Sequence, residues 1–226
     1  MIKPLLILLS AFLLTSCSGT YHSYYDTLKL AFNSNQDAEL TLQQVRDAEY
    51  DLLYVRSGER AQAVMALAYI EYGQHKWISE DQALLVLEQG RIVKTTGFAQ
   101  DLLYLTNTMD DPLKRPLNMQ SGRKWLRLAD WKHGEYGYQL RSEFQSAGNQ
   151  PLVFFGKSID SVLMIEAVEY LDQSNFLHFN RRWQNYFWFD AKTGALLKSK
   201  QLLAPFWHEI ETTHISQIAR LLDQQS

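Results

Sequence analysis

The chain of 226 residues contains one cysteine, five prolines and eleven glycines. A single cysteine excludes an internal disulfide framework and any cysteine-based metal cluster. So little proline and glycine excludes a linker or fibrous protein, and a hydrophobic content of 46% excludes a disordered one. Charge of one sign is also scarce, with 22 Lys and Arg against 25 Asp and Glu. That near balance gives no global field for polyanions, so no nucleic-acid partner is expected. No apolar run reaches the roughly 20 residues that a membrane-spanning helix needs. Gly-x-Gly-x-x-Gly, phosphate-loop and Gly-x-Ser-x-Gly patterns are missing, so no cofactor and no nucleophile elbow are expected. No repeat of 20–50 residues is visible.

What is present begins at the N-terminus. Lys3 precedes the apolar run Leu5 to Leu14, about half the length of a bilayer span and suited to a secretory signal. Leu14, Thr15, Ser16 and Cys17 follow, and this resembles the bacterial lipobox, in which a leucine and two small residues precede the acylated cysteine. A lone exported thiol is otherwise a liability in an oxidising compartment. The expectation is therefore a signal peptide over residues 1–16 and lipid attachment at Cys17. Several acyl chains, each contributing about 0.8 kcal/mol per buried methylene, would anchor the protein firmly to a membrane. Ser18 stands where aspartate retains enterobacterial lipoproteins in the inner membrane, which favours the outer membrane, facing the periplasm.

Residues 17–226 read as a single β-rich domain with a few short helices. Tyr24, Tyr25, Leu28, Ala31 and Phe32 recur at helical spacing, predicting a helix over about 21–32, and a second short helix starts near Thr41. After Asp47 about ten short apolar or alternating runs appear, each closed by a turn signal, the pattern of antiparallel hairpins. Asp190-Ala191-Lys192-Thr193-Gly194 suits a type I turn with glycine in the bulge position. Residues 106–122 predict a long irregular loop and residues 146–151 a second one. A domain boundary within 106–122 is the alternative.

Several blocks together resemble the GfcB/YjbF family of group 4 capsule and exopolysaccharide lipoproteins. They are Tyr25 to Phe32, Trp77, Gln89-Gly90-Arg91 to Gly97, Asp111-Pro112-Leu113, Tyr186 to Asp190, Thr193-Gly194, Ser199-Lys200-Gln201 and Pro205. They run in order over about 21–215. Gln89 departs from the usual Asn, and Leu196-Leu197 from an aromatic-basic pair. The resemblance implies an antiparallel, barrel-like or strongly curved sheet, encoded with polysaccharide export machinery. It carries no catalytic residues across.

Candidate chemistry is sparse. His208 and His214, on one strand face, lie roughly 20 Å apart, too far to share a metal. Asp110-Asp111 and Glu166 with Glu169 are the acid pairs a glycosidase reading would draw on. Glu166 and Glu169 point to opposite strand faces, so one is expected inside with an arginine such as Arg91 or Arg182. Alternation sends Phe187 and Phe189 to one face and Tyr186 and Trp188 to the other. Tyr186 and Trp188 suit contact with sugar rings or a protein partner, with Asn185 or Gln201 as amides for hydroxyls. Arg91, with Lys94, Arg123, Lys124 and Arg127, forms a basic set suited to acidic sugars, and equally to solvated strand faces.

These observations lead to an anchored accessory protein of capsule or exopolysaccharide production or export, acting by binding rather than catalysis. Its expected partners are the membrane through the N-terminal lipid, and polysaccharide or export-machinery proteins. The contact residues expected are Tyr186, Trp188, Gln201 and Arg91. Two alternatives stay open: a polysaccharide-modifying hydrolase, and a lipid or lipoprotein carrier with an apolar cavity.

Overall fold

The computed structural model describes residues 36–132, 134–171 and 182–224. The lipobox, Cys17 and the helix expected over 21–32 lie outside them. Fourteen strands are described. The first group is β1 (Leu52–Ser57), β2 (Ala63–Glu71), β3 (Gln74–Ile78), β4 (Leu84–Glu88), β5 (Arg91–Thr96) and β6 (Leu102–Leu105). Then come β7 (Arg123–Trp131), β8 (Glu135–Asn149), β9 (Leu152–Phe154), β10 (Lys157–Ile159) and β11 (Ser161–Tyr170). The chain continues through β12 (Arg182–Asp190), β13 (Leu196–Gln201) and β14 (Ile210–Thr213). Two helices accompany them, α1 (Leu42–Asp47) and α2 (Ile215–Gln224).

Twelve strands form one antiparallel sheet in the order β5-β4-β3-β2-β1-β14-β13-β12-β11-β8-β7-β6, and β9 and β10 pair separately as a hairpin. The two edges, β5 and β6, are consecutive in the chain, so the sheet curls into a nearly closed barrel. Their connection is tied by Asp101, which accepts hydrogen bonds from Phe98 N (3.1 Å) and Thr95 Oγ1 (3.2 Å), while Leu102 N donates to Thr95 Oγ1 (2.9 Å). Curling removes free edges that would otherwise template aggregation.

The period-2 pattern decides what lies inside. In β7, Trp125, Arg127, Ala129 and Trp131 are buried, and Leu126 and Leu128 alternate with them as exposed residues. Phe187 and Phe189 are likewise buried, while Tyr186 and Trp188 are only half-buried. The interior packs Trp125, Trp131, Phe144, Phe187 and Phe189 together. A second layer forms outside the barrel, where Leu52, Val64 and Ala66 meet Val45 of α1 and Ile215 and Ala219 of α2.

Helix α1 begins at Thr41, whose hydroxyl accepts from Gln44 N while Gln44 Oε1 accepts from Thr41 N, a reciprocal capping box. Arg46 and Asp223 pair α1 to α2. The strand pattern predicted over Glu209 to Ile215 gives way after Thr213 to α2. Ile215, Ile218, Ala219 and Leu222 are its buried face. The loop expected over 146–151 is shorter, because β8 runs on to Asn149. Residues 106–122 are the irregular excursion expected, organised as three 3-10 turns at Thr108–Asp110, Pro112–Lys114 and Pro116–Asn118.

Candidate functional site

Inside the barrel four charged side chains form a neutral quartet. Arg91 donates from Nη1 to Glu166 Oε2 (2.6 Å) and from Nε to Asp111 Oδ2 (2.8 Å). Arg127 Nη2 lies 3.3 Å from Glu166 Oε1. Asn185 Nδ2 (2.9 Å) and the Ser142 hydroxyl complete the donors around Glu166. Both guanidiniums contact the Trp125 ring, with Arg91 Cζ at 4.9 Å and Arg127 Cζ at 4.2 Å from its centroid, which adds cation–π attraction in a desolvated setting. Burial opposes the charge on Arg91, but Asp111 and then Glu166 outweigh it and raise its pKa. Burial also works against the Glu166 carboxylate, yet Arg91 and Arg127 hold it down at about 2. Arg127 is pulled down by burial to about 10 and remains charged at neutral pH.

This places two sequence-flagged residues away from any surface contact. Arg91 and Gln201 are 3% and 0% exposed, so neither reaches an external glycan directly. Asn185 is equally buried, and the basic set divides: Arg91 and Arg127 go inward, Lys94, Arg123 and Lys124 outward. The reason is strand phase. Gln201 shares the inward side of β13 with Ser199, and its amide donates to Gly90 O (2.8 Å) and accepts from Ile92 N (3.1 Å).

Arg91 and Gln201 instead support the walls of an end cavity of about 540 Å³. One wall is the Gln89–Gly90 turn held by Gln201; another is the 112–118 segment, held from below by Asp111. Asp111 accepts from both Arg91 and Leu113 N (3.0 Å), and Leu113 is buried. The β12–β13 turn closes a third side, with Gly194 at φ +73° lying against Leu117. Asp190 fixes that turn by accepting from Thr193 N (2.6 Å). His75, Trp77, His214 and Arg220 line the remainder. Trp77 and His214 meet edge-on, with centroids 6.1 Å apart. Trp77 Nε1 and His214 Nε2 are buried without a hydrogen-bond partner. Burial lowers the pKa of His75, and burial with His75 nearby pulls His214 down to about 4. Both imidazoles are neutral at pH 7.

The Gln89–Gly90 turn is a tight point of this wall. Gln89 (φ +49°) and Gly90 (φ +86°) both have positive φ, the pattern of a type I′ hairpin turn, which explains why asparagine is the better residue at the first position. A Cβ at Gly90 would lie 2.3 Å from Leu196 Cδ2. Gly90→Ala is therefore expected to destabilise by roughly 1–3 kcal/mol through strain at a positive φ and the displaced Leu196. Urea unfolding measures this; an unchanged midpoint would show that the turn yields without cost.

Outside the barrel, Tyr186 and Trp188 stack at 6.2 Å and 27°. Trp188 Nε1 donates to Gln150 Oε1 (2.7 Å), Tyr186 OH donates to Gln184 Oε1 (2.8 Å), and Lys198 Nζ lies 5.9 Å from the Trp188 ring. The acid pairs do not converge. Glu166 is fully buried, whereas Glu169 faces outward and pairs with Arg141 and Arg182. Asp111 is buried on Arg91, and Asp110 is exposed beside it. His208 packs at Gly58 and His214 at Trp77. Among the described residues no three His, Cys, Asp or Glu side chains gather as a metal set, and no helix is long and apolar enough to cross a membrane.

Comparison with known proteins agrees with this architecture. The family described as "Group 4 capsule polysaccharide lipoprotein gfcB, YjbF" matches residues 25–215. The lipoprotein GfcB of Escherichia coli K12 is 31% identical over 215 residues, covering 94% of this chain and 98% of its own length. The lipoprotein YjbF of the same organism is 30% identical, covering 94% and 97%. The crystal structure of the hypothetical lipoprotein YmcC from E. coli K12 superposes with a TM-score of 0.70 at 31% identity, covering 84% of this chain and 93% of that one.

Proposed function

Because the chain belongs to the GfcB/YjbF family of group 4 capsule polysaccharide lipoproteins, we propose that it is an accessory protein of capsule production or export that works by binding. Lipid at Cys17 holds it to the outer membrane on the periplasmic side, and the Tyr186–Trp188 stack meets glycan or export machinery. The observation that carries the binding reading is the state of the carboxylates. A glycosidase acid needs a raised pKa and two carboxyl groups open to one sugar. Glu166 is held at about 2 among four donors, and Asp111 is consumed by Arg91 and Leu113 N. A lipid carrier needs an apolar hollow within the sheet, but aromatic side chains and the ion quartet occupy that space.

Two variants test the proposal in cells that make the polysaccharide. Cys17→Ser should abolish palmitate labelling and lower surface polysaccharide by at least an order of magnitude. Trp188→Ala should keep the label and still reduce surface polysaccharide several-fold, since it removes the flat indole face that stacks on Tyr186. Full capsule levels in both variants would refute the reading.

A further inference from the structure

A second cleft of about 620 Å³ lies on the other side of the 112–118 segment from the end cavity, and the two share Lys114, Arg115 and Asn118. Each is of a size that ordinarily holds a small ligand. The ridge between them is rigidly mounted. Pro112 and Pro116 each open a 3-10 turn with a fixed φ, Leu113 is buried, and Asp111 anchors the start to Arg91.

The charge on this ridge is only partly compensated. Lys114 pairs with Glu88 (2.8 Å), Arg220 with Asp51 (2.5 Å), and Asp111 with Arg91. Arg115 and Arg123 are exposed, line the clefts, and take no carboxylate among the described residues. Arg46, Arg56, Arg141 and Arg182 on the surface have carboxylate partners, while exposed Arg60, which has none among the described residues, lines neither cleft. Against these two free guanidiniums stands one exposed carboxylate, Asp110, in a protein of net charge -3. A guanidinium recognises a carboxylate through two parallel hydrogen bonds. The rest of the cavity lining, including Gln89, Asn118, His75 and Gln217, offers neutral planar groups suited to hydroxyls.

We propose that the paired clefts bind an acidic saccharide, with Arg115 on the shared ridge and Arg123 beside it taking the sugar carboxylates. The choice of a saccharide rests on the glycan reading above; the requirement for negative charge rests on the two unpaired arginines. Arg91 and Gln201 then act as positioning residues, holding the walls from inside.

Isothermal titration of the full-length lipoprotein in detergent tests this, using a tetrasaccharide of alternating glucuronic acid and N-acetylglucosamine and its carboxyl-reduced counterpart. The acidic sugar should bind at least tenfold more tightly than the reduced one. Arg115→Gln should erase that preference without changing the thermal midpoint, Arg115→Lys should keep part of it, and Arg123→Gln should diminish it. Trp188→Ala should weaken both sugars alike and leave the preference in place. Equal affinity for the two sugars, no binding of either, or an Arg115→Gln protein that keeps the preference would overturn the cleft proposal. If the sugars bind equally and Trp188→Ala still weakens both, the clefts fail while the outer aromatic contact stands. If neither binds, surface polysaccharide in the Cys17→Ser and Trp188→Ala cells still decides the accessory role separately.

Discussion

Replacing Arg91 with methionine is expected to lower the unfolding free energy by about 3–5 kcal/mol, the usual cost of removing one partner from a buried ion pair. Methionine fills much of the volume but leaves Glu166 with one guanidinium and Asp111 with none, since Arg91 is the cation that joins them. For a chain of this length that corresponds to a fall in thermal midpoint of roughly 6–20 °C. Arg91→Lys should recover little, because a single ammonium cannot reproduce the forked contacts to two carboxylates. Removing the stranded carboxylate as well, with Arg91→Met and Asp111→Asn, should recover part of the loss, since Glu166 keeps Arg127 and a buried pair owes much of its truncation cost to the charge left behind. The single variant should also make 106–122 more susceptible to proteolysis, because Asp111 no longer anchors it. Urea unfolding followed by tryptophan fluorescence measures the first effect and timed digestion the second. A loss below 1 kcal/mol with an unaltered digestion rate would mean that the quartet does not hold the segment.

Acid should destabilise the protein in two separate windows. His214 falls to about 4 in the folded state from an ordinary value of 6.5. The unfolded chain therefore takes up this proton first, so stability present above 6.5 is lost as pH drops toward 4. Glu166 falls to about 2 from 4.5, so its contribution is intact above 4.5 and disappears as pH drops toward 2. At about 1.4 kcal/mol for each pKa unit, each window is worth about 3 kcal/mol. His214→Gln should diminish the upper window without abolishing it, because burial lowers the pKa of His75 as well, and should leave the lower one. Glu166→Gln should diminish the lower window without abolishing it, because outward acids such as Glu169 and Glu211 also have lowered pKa values, through Arg141 and against burial through Lys198 respectively. Unfolding curves at pH 7, 5.5, 4 and 3 check this. A wild-type stability that is level between pH 7 and 4.5 would contradict the buried neutral imidazole.

The strands were legible because their signal is local. β5 was bounded by Gly90 and Gly97, and alternation in β12 alone separated Phe187 and Phe189 from Tyr186 and Trp188. The Asp190–Gly194 turn was equally readable, since Asp190 makes its capping bonds within four residues. Helix α2 had a readable signal as well, with Ile215, Ile218, Ala219 and Leu222 at helical spacing. The apolar pattern of β14 runs into it without a turn signal, because His214 alone separates the strand from Ile215. The partnership of Glu166 is half visible in the sequence: odd spacing from Glu169 puts one acid inside, but spacing alone does not choose between Arg91 and Arg182 as its partner.

The sequence by itself determined how strand side chains divide between two faces, the turns, the family blocks and the lipobox that motivates a lipid anchor, all of which depend on neighbours in the chain or on short words of sequence. Only the tertiary structure decided that Arg91 and Gln201 face inward, that Arg91 meets Asp111 and Glu166, 20 and 75 positions away, and that residues 112–118 stand as a charged ridge between two clefts. Strand periodicity assigns a side chain to one of two faces, but it says nothing about which distant strand that face will meet. The curl of the sheet makes that choice by bringing β5, β7, β11 and the long loop around one interior.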